Sequence, residues 1–178
     1  MLRKILIGLA VVVVGATAVI LSRPDSFRIV RSGTIAAPAE VVFPLINDLH
    51  NWAAWSPWAE LDPSMKLTYS GSQAGVGAIY DWSGNDKVGV GRMTIMESQP
   101  NDKIVIRLEF MKPFEASNST VFTIKPEGGG VHVDWDMTGN NNFMSKAVSL
   151  FMDMDKEVGG DFARGLAKLK TVAEAKAK

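Results

Sequence analysis

The chain opens with an unbroken apolar run, Ile5 to Leu21, in which Thr17 is the only polar side chain. Such a run predicts a helix without a polar face, the pattern of a membrane segment rather than of a surface helix. Its length as a helix is about 25 Å at about 1.5 Å per residue, against a hydrocarbon core of about 30 Å. Leu2 and Ser22 extend it, Arg3, Lys4 and Arg23 reach for head groups, and Pro24 stops it.

Beyond residue 25 the periodicity changes twice. Phe27 to Ile35 predicts a strand, and Ala37-Pro38-Ala39-Glu40 starts a helix whose apolar face is Val41, Val42, Leu45 and Ile46. Pro44 inside it predicts a kink or an early end. His50 to Trp58 reads as a second short helix or irregular turn. Strands are then predicted over Lys66–Ser70, Ile79–Ser83, Gly89–Ser98, Ile104–Phe110, Ala116–Lys125 and Val131–Thr138, with Gly-, Pro- and Asn-rich turns between them. Val131, Val133, Trp135 and Met137 alternate with His132, Asp134, Asp136 and Thr138, as in an antiparallel sheet with one covered face. After Asn142 the spacing returns to three and four: Val158, Phe162, Leu166, Leu169 and Val172 predict a long final helix, with an Ala/Lys-rich end that frays.

Two units follow: residues 1–25, an anchor and short linker, and residues 26–178, one domain. The fold class is α+β, a curved antiparallel sheet wrapped around the long C-terminal helix, with a hollow between them. Arg3 and Lys4 favour a cytoplasmic N-terminus and an extracytoplasmic domain, periplasmic in a bacterium. Arg23, Arg28 and Arg31 on the other flank oppose that orientation. The alternative is secretion after cleavage at Ala16-Thr17-Ala18, an A-x-A-type site. Val19, Ile20 and Leu21 continue the apolar run past that point and favour a retained, single-pass anchor.

Composition narrows the chemistry. Lys plus Arg equals Asp plus Glu at 19 each, so no basic excess points to nucleic acid. The absence of cysteine removes disulfides, thiolate metal sites and a thiol nucleophile together. His50 and His132, the two histidines, lack the spaced partners a zinc site needs, so no metal is expected. Gly71 to Gly77 leads into a strand and lacks the Lys-Ser/Thr ending of a phosphate loop. Asp81, Asp134 and Asp136 fall on outward positions, and no carboxylate is placed inside the apolar face. Neither a catalytic set nor a cofactor is therefore predicted.

The ordered set Ile35-Ala36-Ala37-Pro38-Ala39-Glu40-Val41-Val42-Phe43, Asn47-Asp48-Leu49, Trp52, Trp55-Ser56-Pro57-Trp58, Tyr69, Gly71, Gly75, Gly77-Ala78, Trp82-Ser83-Gly84-Asn85, Gly89-Val90-Gly91, Val133-Asp134-Trp135, Asp161-Phe162 and Gly165-Leu166 resembles the START-like (SRPBCC, Bet v 1-like) superfamily. The likeness is strongest to its polyketide cyclase/dehydrase and lipid-transport branch, and it covers about residues 27 to 170. It implies the helix-grip fold and a cavity for a hydrophobic ligand.

On that basis Trp52, Trp55, Trp58, Tyr80, Trp82, Ile106, Leu108, Phe110, Phe122, Trp135, Met137, Phe162 and Leu166 are candidates to line the cavity, with core packing the alternative for each. Arg92 and Arg107 are candidates for a polar cavity mouth. The functional expectation is membrane-tethered binding or transport of a lipid-like or polyketide-like small molecule. The alternatives are a cyclase- or dehydratase-type enzyme acting on a hydrophobic substrate, and a protein-interaction module of the chaperone-regulator kind. The sequence leaves the oligomeric state open.

Overall fold

The computed structural model describes residues 2–178. Helix α1, Leu2–Leu21, buries none of its residues against the rest of the chain. It is long and apolar enough to cross a membrane. The seven strands are β1 (Ser26–Ile35), β2 (Lys66–Gly71), β3 (Ala78–Ser83), β4 (Val90–Gln99), β5 (Lys103–Lys112), β6 (Ala116–Glu127) and β7 (Gly130–Asn140). They form one antiparallel sheet in the order β1-β7-β6-β5-β4-β3-β2. Register shifts in β4 at Val90/Gly91 and Ile95/Glu97 mark irregularities of the kind that bend a strand. The curved sheet grips helix α5, Met154–Lys176, which lies against β1. The chain thus has the helix-grip α+β fold.

Helix α5 exists because its ends and one stripe are provided for. The Asp153 carboxylate accepts from the Lys156 N–H, and Asp155 and Glu157 sit in the positive first turn. Phe162, Leu166, Leu169 and Ala173 are buried at helical spacing. The helix runs to Lys176, because Ala173 is buried and the Glu174 carboxylate accepts from the Ala36 N–H at 2.8 Å.

Helix α2, Ala39–Asn47, continues through Pro44. The proline leaves the Glu40 carbonyl without its helical donor, but Glu40 and Pro44 are both on the exposed side, where water can supply one. A 3₁₀ segment, Leu49–Ala54, and the single turn α3, Trp58–Leu61, follow. The last carbonyls of α2 lack helical donors, and two indoles provide them. Trp52 Nε1 donates to Ile46 and Trp55 Nε1 to Leu45, both at 2.9 Å. The tryptophan array therefore does backbone work before any other role is considered.

Between β7 and α5 stands a separate short helix, α4 (Phe143–Val148), followed by a break at residues 149–153. The helical reading after Asn142 did not divide the segment. The division matters, because the break forms part of the cavity rim.

A candidate ligand cavity between sheet and helix

Inward positions of the sheet carry large side chains at one end and leave space at the other. Where Trp135 on β7 faces α5, the space is filled. Its ring lies 4.1 Å from that of Phe162, nearly parallel, and 4.8 Å from Phe122. Trp52, Trp55 and Trp58 meet it edge-on at 5.6–6.2 Å. Such edge and stacked pairs add to their area burial. Trp55, Ile106, Phe122 and Leu166 are spent in this packing and do not line the hollow.

Towards the end of the sheet where β1 begins and β5 ends, a cavity of about 930 Å³ opens beneath the α4–α5 connection. This is within the roughly 300–1,000 Å³ range of small-molecule sites. Of the candidates, Trp52, Trp58, Tyr80, Trp82, Leu108, Phe110, Trp135, Met137 and Phe162 line it. Met65, Met93, Met152 and Met154 join them; thioethers follow irregular apolar shapes.

Glycines let the wall and the helix pack closely around the space. Trp82 lies across β4 because Gly91 has no side chain: a Cβ there would come within 2.3 Å of the indole. Its Nε1 donates to Val88 at 3.0 Å, which fixes the ring in the wall. Gly165 admits Trp135 and Pro57 against α5, since a Cβ would meet them at 2.8 and 3.1 Å. Gly159 likewise admits the Arg31 guanidinium, which binds both Asp155 carboxylate oxygens. These two helix glycines serve close approach to β1 and β7. Gly160 meets only Arg164, at 3.7 Å, and is merely tolerated.

Arg92 and Arg107 do not reach the cavity. Arg92 points from the opposite face of the sheet and pairs with Asp81 at 2.7 Å across β3 and β4. Arg107 lines an open depression of about 700 Å³ on that same outer face. The strand alternation that sends Ile106 and Leu108 inward sends Arg107 outward.

Of the polar groups that line the cavity, sequence reading named Tyr80 and Trp135 and missed Asp161, Thr120 and Asn118. Asp161, on the turn of α5 before Phe162, is a carboxylate in a largely apolar wall. Burial raises its pKa, Arg164 opposes the rise, and Glu157 adds to it. Burial also raises the Tyr80 hydroxyl well above the ordinary phenol value, with Tyr69 adding to the effect. Both groups hold their protons more firmly than they would in water. The Thr120 hydroxyl and the Trp135 Nε1 are buried and unpaired among the described residues, and both side chains line the cavity. Asn118, the first residue of an Asn118-Ser119-Thr120 glycosylation sequon, is buried beside them on β6. Asp161 was within reach of the sequence: it adjoins Phe162, one position off the apolar stripe.

The histidines take surface roles. His50 stacks on Tyr69 at 4.1 Å and bonds Asp48 at 2.8 Å. His132 lies between Glu127 and Asp134 at 3.3 and 3.2 Å. No cluster of three or more metal-ligating side chains occurs among the described residues.

The family profile described as polyketide cyclase / dehydrase and lipid transport matches residues 26–174. The chain belongs to this family. Among solved structures, a protein from Chromobacterium violaceum is 16% identical over 85% of this chain and 99% of its own, with a TM-score of 0.59. The di-domain ARO/CYC StfQ from the steffimycin biosynthetic pathway is 13% identical over 86% of this chain and 52% of its own, TM-score 0.62. The Aha1 dimer from Colwellia psychrerythraea is 14% identical over 83% and 96%, TM-score 0.59. At these identities the likeness is one of fold. No curated protein matches the chain.

Proposed function

We propose that this family member binds a hydrophobic small molecule, lipid-like or polyketide-like, between the sheet and α5, and that α1 tethers the domain to a membrane on its extracytoplasmic side. The observation that carries the reading is the cavity of about 930 Å³ walled by Trp82, Leu108, Phe110, Met137 and Phe162. Apolar surface facing such a space is stabilised by an apolar guest, at about 25 cal/mol per Å² removed from water. The family description, which includes lipid transport, supports the same ligand class.

The test uses residues 22–178, which keep the linker that lines the cavity, since no residue of α1 is buried against the domain. Bound material is extracted for native mass spectrometry, and the emptied protein is titrated with fluorescent fatty acids. Saturable binding that Leu108→Trp abolishes supports the proposal; its absence in a folded protein refutes it. The tether is tested by membrane fractionation and intact mass. A mature chain beginning at Val19 refutes the anchor in favour of a cleaved signal peptide.

Asp161 and Tyr80 favour a second reading, an enzyme of the cyclase or dehydratase kind, in which proton-holding groups face a bound reactive chain. Turnover of a polyketide-like substrate that is lost in Asp161→Asn and Tyr80→Phe, with binding retained, would establish it.

A further inference from the structure

The linker that follows α1 is fastened to the rim of the cavity. The Pro24 carbonyl accepts from Asn141 Nδ2 at 3.1 Å, and the Asp25 carbonyl accepts from the Asn141 N–H at 2.8 Å. Lys146 of α4, itself buried, pairs with the Asp25 carboxylate. The last turn of α1 hands directly into this linker through the Arg23 N–H to Ile20 carbonyl bond. Helix α1 also touches α4, and Arg23 and Pro24 line the cavity. The exit of the apolar helix and the mouth of the cavity are therefore one place.

That place is unusually apolar for a surface. Phe151, at the α4–α5 break, is 92% exposed. Phe143, Met144, Met152 and Met154 around it, and Phe114 from the β5–β6 connection, are also exposed. Phe114, Phe151, Met152 and Met154 are cavity-lining residues as well. A contiguous exposed patch of this kind marks an interaction surface. Here the partner is specified by continuity, because the patch adjoins the end of a helix suited to a bilayer.

We infer that the α4–α5 break and the Phe114 loop bed into the leaflet where α1 ends, so that the cavity mouth opens into the acyl region and a guest enters without crossing water. The inference rests on α1 spanning the membrane. The charged side chains lining the cavity are mixed, Arg23 and Lys87 against Asp153 and Asp161, so the apolar interior of the leaflet is the partner rather than anionic head groups.

The test exploits the absence of cysteine, which makes any introduced one unique. Full-length chains carrying Phe151→Cys, Met152→Cys, Val12→Cys or Lys125→Cys are labelled with an environment-sensitive fluorophore. They are then reconstituted into phosphatidylcholine vesicles containing acyl-chain spin-labelled lipid. Labels at 12, 151 and 152 are expected to be quenched, and the label at 125, near the far end of the sheet, is not. Quenching at 12 with 151 and 152 in water overturns the inference and leaves the tether standing. No quenching at 12 removes the tether and the inference together. Labels at 151 and 152 that become shielded only when a second protein is added assign the patch to that protein instead, and also overturn it.

Discussion

Phe162 of α5 stacks on Trp135 of β7 with ring centroids 4.1 Å apart and planes 7° from parallel. This contact joins roof to floor where the cavity ends and the solid core begins, because both rings also line the cavity. Phe162→Ala deletes a side chain that is only 2% exposed and lengthens the hollow towards Trp58. The expected loss of stability is about 3–5 kcal/mol, read from denaturation midpoints. A loss well below 1 kcal/mol would mean that α5 settles into the gap and that the boundary is soft.

Two glycines flanking Phe162 on α5, Gly160 and Gly165, are expected to respond in opposite senses. At Gly160 an added Cβ meets nothing nearer than Arg164 at 3.7 Å. Gly160→Ala should therefore stabilise by about 1 kcal/mol through helix propensity. At Gly165 the Cβ would meet the Trp135 ring at 2.8 Å and Pro57 at 3.1 Å, neither the end of a flexible chain. Gly165→Ala should destabilise by about 1–3 kcal/mol despite the same gain in propensity. Thermal midpoints of the two variants, compared on one preparation, decide the matter. Equal shifts of the same sign would show that close approach to β7 is not why Gly165 is glycine.

Sheet and final helix were legible because each has its own period in the sequence, and the N-terminal helix because its apolar run is unbroken. Alternation in β5 and β7 assigns Ile106, Leu108, Trp135 and Met137 inward, and the structure agrees. The same rule sends Arg107 outward, where it lines the depression on the other face of the sheet and not the cavity. What periodicity cannot convey is which inward residues touch one another. Trp55 and Trp58 look alike in the sequence, yet one is wholly buried with its indole on α2, and the other faces the hollow. The α4–α5 break was illegible for a related reason. Leu150 to Met154 satisfies helical hydrophobicity on either side, and only Asp153, capping the next helix, signals a new start.

The unpaired Thr120 hydroxyl provides a probe of the empty cavity. It is buried without a partner among the described residues, a condition that costs about 1–3 kcal/mol. Thr120→Val keeps the branched shape on β6 and removes the orphan group. The unliganded protein should gain about 1 kcal/mol, measured by denaturant titration of the delipidated chain. A guest that offers an oxygen to this hydroxyl would reverse the order, so the liganded variant should bind more weakly than the wild type. If Thr120→Val destabilises the empty protein, the hydroxyl is already satisfied, by water or by a small shift of its neighbours.

Asp161 gives the cavity a pH dependence whose sign is set by burial. Its folded pKa is raised from the ordinary 3.8, with desolvation the largest cause, Arg164 opposing and Glu157 assisting. Between 3.8 and the raised value the folded state binds more protons than the unfolded chain, so this group's contribution to stability falls as pH rises through that window. Asp25 and Asp155 work in the other sense. Lys146 and Arg31 hold their carboxyls below the ordinary value, so their contributions are lost as pH falls towards the folded pKa. Because those two are common to wild type and Asp161→Asn, the difference between the proteins isolates Asp161. The asparagine variant should gain on the wild type as the pH climbs above 3.8 through the raised pKa, followed by thermal midpoints across the series. The surface-exposed Arg164 limits what the lost ion pair can subtract. A difference that moves the opposite way would mean that the pair with Arg164 outweighs burial, and that the carboxylate belongs to the solvent rather than to the cavity wall.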